Sequence, residues 1–173
     1  MQQSPLADLL PMPISTDVEA AVLALNNAHA VELSWLEGDR LGALLRQSFY
    51  ARRLGHLAAF LIAFDECADY DSPNYLWFRQ HYARFVYVDR IVVDRTARKQ
   101  GLAHLLYEDL FRQAVAAGQE IVGCEVNSDP PNPASDAFHA GLGFSEVGRA
   151  SIHGGAKSVR YLARRLEHEG ISR

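Results

Sequence analysis

Cysteine is scarce. The 173 residues contain two, Cys67 and Cys124, too few for a disulfide framework. With the seven histidines they form no Cys-x-x-Cys or His-x-x-x-His spacing, so no zinc fold and no metal cofactor is expected. Excess charge of one sign is also small. Seventeen Lys and Arg against 21 Asp and Glu leave a formal charge of −4, which does not suit a surface that must neutralise nucleic-acid phosphates. No apolar run approaches the roughly 20 residues that span a bilayer, so no membrane partner is expected. Met1 to Ser15 has no basic residue ahead of an apolar run and is interrupted by Pro5, Pro11 and Pro13. It does not read as a signal peptide, and the cytoplasm is the expected compartment. Gly-x-x-x-x-Gly-Lys-Ser/Thr and Gly-x-Gly-x-x-Gly are both missing, which removes the main support for P-loop and dinucleotide-fold readings.

What is present is a composition that builds a core. Hydrophobic residues make up 49%, and a chain of this length buries roughly 70% of its extended surface. A single domain over 1–173 is expected, with its core from about Thr16 to Leu166 and with 1–13 and 167–173 as flexible ends. Thr16-x-x-Glu19 and Ser34-x-x-Glu37 both fit capping boxes and open two helices, Asp17 to Ala30 and Ser34 to about Gln47. Phe49 to Arg53 and His56 to Phe64 read as a hairpin. Asp65 to Tyr82 reads as a long functional loop with turn chemistry at Asp71-Ser72-Pro73-Asn74. Arg84 to Val93 is apolar on both alternating faces, as a central strand requires. Leu106, Leu110, Ala114 and Ala117 then form a helical stripe stopped by Gly118, and Glu120 to Asn127 is a second buried strand. Strand, helix and strand make a βαβ unit with a parallel pair. Ala134 to Gly141 follows as a short helix, and Phe144 to Ala150 with Val159 to Leu166 closes the chain as a strand pair. The fold class is α/β (α+β), a central mixed sheet flanked by helices.

The chemistry concentrates in the turn of the βαβ unit, Asp94 to Ala103. A strand feeding directly into a helix N-terminus presents unpaired amides and a partial positive charge, which is an anion site. Arg98 and Lys99 add full charges, while Gly101 and Ala103 remove bulk. Here the sequence resembles a known family. Val93-x-x-x-x-Arg98-x-x-Gly101-x-Ala103 is similar to the Arg/Gln-x-x-Gly-x-Gly/Ala signature of the GNAT N-acetyltransferases. Asn132-x-x-Ser135-x-x-Phe138-His139-x-x-x-Gly143-Phe144 is similar to that family's Asn-x-x-Ala-x-x-Leu/Phe-Tyr-x-x-x-Gly-Phe segment. The order of elements fits from about Thr16 to Leu166.

The resemblance implies acetyl-CoA as cosubstrate and an amine as acceptor. Its pyrophosphate would lie on the turn formed by Arg98, Lys99, Gln100, Gly101, Leu102 and Ala103. Its pantetheine arm would follow the main chain of Ile91, Val92 and Val93 on one side and Val126 or Asn127 on the other, as an added strand would. Asn132, Ser135 and Phe138 complete the coenzyme set. Asn132 also suits a helix cap.

Acetyl transfer to an alkylamine needs a base, because a group with a pKa near 10.4 is protonated at neutral pH. Asp89, in an otherwise apolar strand, is the leading candidate, with an ion pair to Arg90 as its structural alternative. Glu125 is the reserve. The tyrosine that would protonate the thiolate is replaced by His139, which either donates from one ring nitrogen or stands by.

The acceptor face would draw on Asn26, Asn27, His29, Glu32 and Trp35, and on Trp77, Tyr82 and the acidic residues of the 65–82 loop, as an aromatic and acidic rim for a cation. A small-molecule or peptide amine is the leading acceptor. Closure by the Tyr70 to Tyr82 loop favours a small amine, and an open groove favours a protein N-terminus or lysine. A non-catalytic acyl-CoA sensor is the rival from another class. A homodimer is left open by the resemblance.

Overall fold

The computed structural model describes residues 9–31 and 33–168. Glu32, read into the acceptor face, lies outside them, as do the outer parts of both ends read as flexible. Among the described residues, seven strands follow the order β1-β2-β3-β4-β5-β7-β6, and five α-helices accompany them. The strands are β1 (Met12–Pro13), β2 (Tyr50–Leu54), β3 (Ala59–Asp65), β4 (Phe85–Val93), β5 (Ile121–Asp129), β6 (Ser145–Ile152) and β7 (Lys157–Arg165). The helices are α1 (Glu19–Ala28), α2 (Gly38–Gln47), α3 (Pro73–His81), α4 (Leu102–Ala116) and α5 (Pro133–Gly141). β4 and β5 run parallel, while β1/β2, β2/β3, β5/β7 and β6/β7 are antiparallel. The sheet is therefore mixed, as the βαβ reading requires. Among the described residues no helix is long and apolar enough to cross a membrane.

The chain divides into two compact units, one made of the stretch up to Phe64 with Asp89–Leu110, the other of Asp65–Val88 with Phe111 onward. In the first, the β2/β3 hairpin pairs Leu54 with Ala59 and Tyr50 with Ala63. Phe60, Leu61, Ile62 and Phe64 are fully buried, as are Leu41, Leu44 and Leu106. Each large side chain moved from water into such a core contributes roughly 1.5–3 kcal/mol. The Tyr50 hydroxyl donates to Asp109 Oδ2 at 2.9 Å, so burial of that ring leaves no polar atom unsatisfied. Met12 and Pro13, read as part of a flexible end, pair with Arg53 and Arg52.

Neither capping box forms. Thr16–Val18 makes a short 3₁₀ turn before α1, with no side-chain cap bond, and Ser15 Oγ donates to Asp17 instead. The second helix starts at Gly38 rather than Ser34 because the backbone of Ser34 and Leu36 is tied to side chains of α1. Asn26 Nδ2 donates to Ser34 O at 3.0 Å, Asn27 Nδ2 donates to Leu36 O at 2.9 Å, and Leu36 N donates to Asn27 Oδ1 at 2.9 Å. Three bonds from a neighbouring helix outweigh one local cap.

In the second unit the expected 65–82 loop is corrected: its latter half is helix α3. Ser72-Pro73 carries the reason, since proline at the first helical position lacks only an amide that would be orphaned anyway. The aromatic residues of α3 turn inward. Tyr75 and Phe78 are fully buried against Phe85 and Tyr87. Two glycines make this possible. A Cβ on Gly123 would lie 2.2 Å from the Phe78 ring, and one on Gly148 would lie 2.4 Å from Trp77. The glycines of β5 and β6 are thus sockets for a helix, which accounts for their place inside strands.

Candidate active site

In the first unit, β4 ends at Val93 and the chain turns through a 3₁₀ segment, Arg95–Ala97, into α4. Asp94 organises this turn. Its amide donates to Ala58 O at 2.9 Å, and its Oδ1 accepts from Thr96 N at 2.8 Å and Thr96 Oγ1 at 2.5 Å. The Thr96 hydroxyl, then the Thr96 amide, hold its carboxyl below the usual range. Gly101 sits at φ +76°, in the left-handed region that favours glycine, with nothing within 4 Å of a Cβ built there. Leu105 N donates to Gly101 O at 3.1 Å, so the amides just ahead of Leu105 have no carbonyl within the helix. Arg98, Lys99, Gln100 and Gly101 are exposed, Ala103 is half-buried and Leu102 is buried. A positively charged turn with open backbone fits a diphosphate.

Upstream on β4, Val92 is buried and Ile91 and Val93 are half-buried. Asp89 is an ion-paired carboxylate. Arg90 Nε donates to its Oδ2 at 2.6 Å, with the two side chains 5% and 6% exposed, and Arg90 Nη1 donates to Asn26 Oδ1 at 2.8 Å. Taking a proton on Asp89 would break up a buried charge pair. Asn27 is committed to Leu36 as described. Trp35 is 64% exposed, its indole N–H donating to Glu37 Oε1 at 2.9 Å. His29, expected opposite the coenzyme, is buried at the end of α1 with Nδ1 3.4 Å from Arg98 Nη2, so an acceptor-side candidate and a coenzyme-side candidate meet.

In the second unit, Glu125 on β5 lies across from Tyr161 on β7 and diagonal to Tyr87 on β4. Tyr87 Oη donates to Glu125 Oε2 at 2.5 Å. Tyr161 Oη donates to Asn74 Oδ1 of α3 at 3.0 Å. Desolvation and then the nearby Glu125 charge push the Tyr161 phenol up to about 12. Trp77 stacks on Tyr161 at 4.3 Å and on His81 at 3.9 Å, and Tyr82 is half-buried beside it. Asn127 is half-buried opposite Val159, at a register shift between Asn127 and Asp129.

Asn132 caps α5, its Oδ1 accepting from Ser135 N at 3.2 Å. Phe138 is half-buried, edge-on to His139 at 5.3 Å. His139 is 5% exposed, with Nδ1 2.8 Å from Ser135 O and 3.3 Å from Ser135 Oγ. A carbonyl only accepts, so Nδ1 carries the proton. Burial pushes the imidazole pKa down, so the ring is neutral at pH 7 with its lone pair on Nε2. That N–H is directed to Ser135 O within α5.

Sequence reasoning did not single out Tyr87, Tyr161 or Asn74. The available signal was a tyrosine in each of two apolar strands flanking the one that carries Glu125. Among the described residues no group of three or more His, Cys, Asp and Glu could hold a metal ion.

The sequence matches the family described as Acetyltransferase (GNAT) family over residues 24–144, and the chain belongs to it. It is a transferase of the acetyltransferase class by that membership. Solved structures similar to it include the ribosomal-protein-S18-alanine N-acetyltransferase from Escherichia coli, 19% identical with TM-score 0.69, covering 95% of this chain and 98% of that one. Ard1 from Thermoplasma volcanium is 13% identical with TM-score 0.73, covering 92% and 99%. Arabidopsis thaliana NAA60, solved in complex with acetyl-CoA, is 15% identical with TM-score 0.70, covering 91% and 98%. No curated protein matches the sequence significantly. At such identities these neighbours carry the fold.

Proposed function

We propose that this chain is an acetyl-CoA-dependent N-acetyltransferase that moves an acetyl group to a primary amine by direct attack on the thioester. The observation that carries the reading is the family match joined to the turn: Gly101 left-handed at the head of α4, with Arg98 and Lys99 exposed beside it. Arg98 to Ala103 would receive the diphosphate. Ile91 to Val93 would receive the amide-rich arm, and in the second unit Asn132 would hold the start of α5 in position.

Glu125 is the better base of the two candidates. Asp89 is paired with Arg90 in a buried ion pair, whereas Glu125 Oε2 accepts a hydrogen bond from the Tyr87 phenol. The acceptor ammonium gives a proton to Glu125, the amine nitrogen bonds to the thioester carbonyl carbon, and the C–S bond breaks, the second proton lost by that nitrogen passing through solvent to the departing thiolate. His139, whose N–H is engaged, acts as an acceptor and does not supply the thiolate's proton.

A protein N-terminus or lysine is the second reading for the acceptor. The burial of Tyr75 and Phe78 and the stacking of Trp77 use up the aromatic surface that a small cation would have needed. Release of CoA from acetyl-CoA, measured with small amines and with peptides, tests both. Amine-dependent release abolished in Glu125→Gln supports the reading. Release independent of any amine would leave only an acyl-CoA-binding protein.

A further inference from the structure

We infer that the cavity at the carboxyl end of β5 recognises a second cationic group on the acceptor, which makes the acceptor a diamine rather than a monoamine. This rests on the N-acetyltransferase reading. The cavity holds about 500 Å³, in the range of small-molecule sites. It lies wholly in the second unit: Ser128 and Asp129 come from β5, Arg149 and Ser151 from β6, and Ser158 from β7.

Strand register explains why these side chains converge. Asp129 stands opposite Ser158, and Ser158 stands opposite Ser151. The shift between Asn127 and Asp129 leaves Ser128 as an extra residue on β5, and such an insertion re-aims the side chains around it. Three strand ends thus bring together one carboxylate and three hydroxyls.

The sign of the ligand follows from which charges are already spent. Arg149 Nε and Nη2 donate to Glu146 at 2.5 and 3.3 Å, Arg160 Nη1 donates to the same carboxylate at 3.3 Å, and Arg160 Nη2 donates to Asp136. Two guanidiniums and two carboxylates cancel. Among the described residues, no hydrogen bond or ion pair engages the side chains of Asp129, Ser128, Ser151 or Ser158. The lining therefore keeps one uncompensated negative charge. An ammonium has three donors and no acceptor, which suits a carboxylate ringed by hydroxyl oxygens. Buried Val159 and half-buried Ala150 add an apolar stretch to the same lining, where the methylenes between two amines can lie. On β5 the reacting amine's proposed partner, Glu125, precedes Asp129 by a span of roughly 10–13 Å for an extended strand. A long diamine covers that distance; a short one does not.

The test is CoA release from acetyl-CoA with α,ω-diaminoalkanes of increasing length, each beside the n-alkylamine of equal length, in the wild type, Asp129→Asn and Ser158→Ala. For the longer pairs the wild-type ratio of kcat/KM, diamine over monoamine, is expected to exceed the statistical factor for two reactive ends. Asp129→Asn is expected to lower that ratio about fivefold, the weight of an exposed ion pair, through the diamine's KM rather than its kcat. Ser158→Ala is expected to lower it less. A wild-type ratio at the statistical factor for every length, or an Asp129→Asn ratio equal to the wild type, overturns the assignment. If no amine of either kind releases CoA, the transferase reading has failed, and calorimetry with the longest diamine reads the cavity by itself. Binding weakened by Asp129→Asn then keeps the cation site, and binding indifferent to the substitution, or absent, overturns it.

Discussion

Asp89 and Glu125 are both carboxylates in apolar strands, and their surroundings differ in kind. Asp89 faces a guanidinium that is tied in turn to Asn26, so its charge is cancelled and its geometry locked. Glu125 accepts a hydrogen bond from the Tyr87 phenol and lies across from Tyr161. A buried charge that has a counter-charge serves structure. A hydrogen bond from a neutral donor leaves the charge of a carboxylate uncancelled.

The largest expected effect strikes the second carboxylate. Glu125→Gln should lower kcat/KM by about 10²–10⁴-fold, the usual weight of a general base, with little change in urea denaturation. Asp89→Ala should do the reverse: a loss of about 3 kcal/mol in stability, because Arg90 is left buried without its counter-charge. Equal losses of activity and stability in the two variants would dissolve the contrast.

Overpacking comes next. Gly123→Val, directed into the Phe78 ring, should cost about 1–3 kcal/mol by denaturation. Gly101→Val should leave unfolding within about 1–2 kcal/mol of the wild type while weakening acetyl-CoA binding in calorimetry. Unaltered binding would reject the placement of the diphosphate.

The smallest effect concerns His139. Its pKa is lowered on folding, so the unfolded chain binds more protons, and stability from this residue is present above the unfolded value of 6.5 and drains away as pH falls through it. His139→Phe should flatten the stability profile between pH 7 and 5. A slope identical to that of the wild type would show that the ring is not buried neutral.

The βαβ unit and the last strand pair were legible in the sequence because their signals are local: apolar runs, a helical stripe and glycine stops. The turn from β4 into α4, with its left-handed Gly101, was legible for the same reason. Helix α3 was not, because Ser72-Pro73 serves a turn and a helix start equally well, and only the glycine sockets on β5 and β6, far along the chain, decide between them. Ser34 failed as a cap because Asn26 and Asn27 pull its neighbours straight. The Tyr87–Glu125 bond spans 38 positions and depends on strand register, and the approach of His29 to Arg98 spans 69. Neither is written in any short window.

Only two tryptophans occur in the chain, and they are placed in opposite conditions: Trp35 largely in water, Trp77 sandwiched between Tyr161 and His81. A collisional quencher such as iodide will silence the first and spare the second. The remaining emission then becomes a built-in optical gauge of whether the aromatic helix is seated, readable in every variant above without attaching a dye.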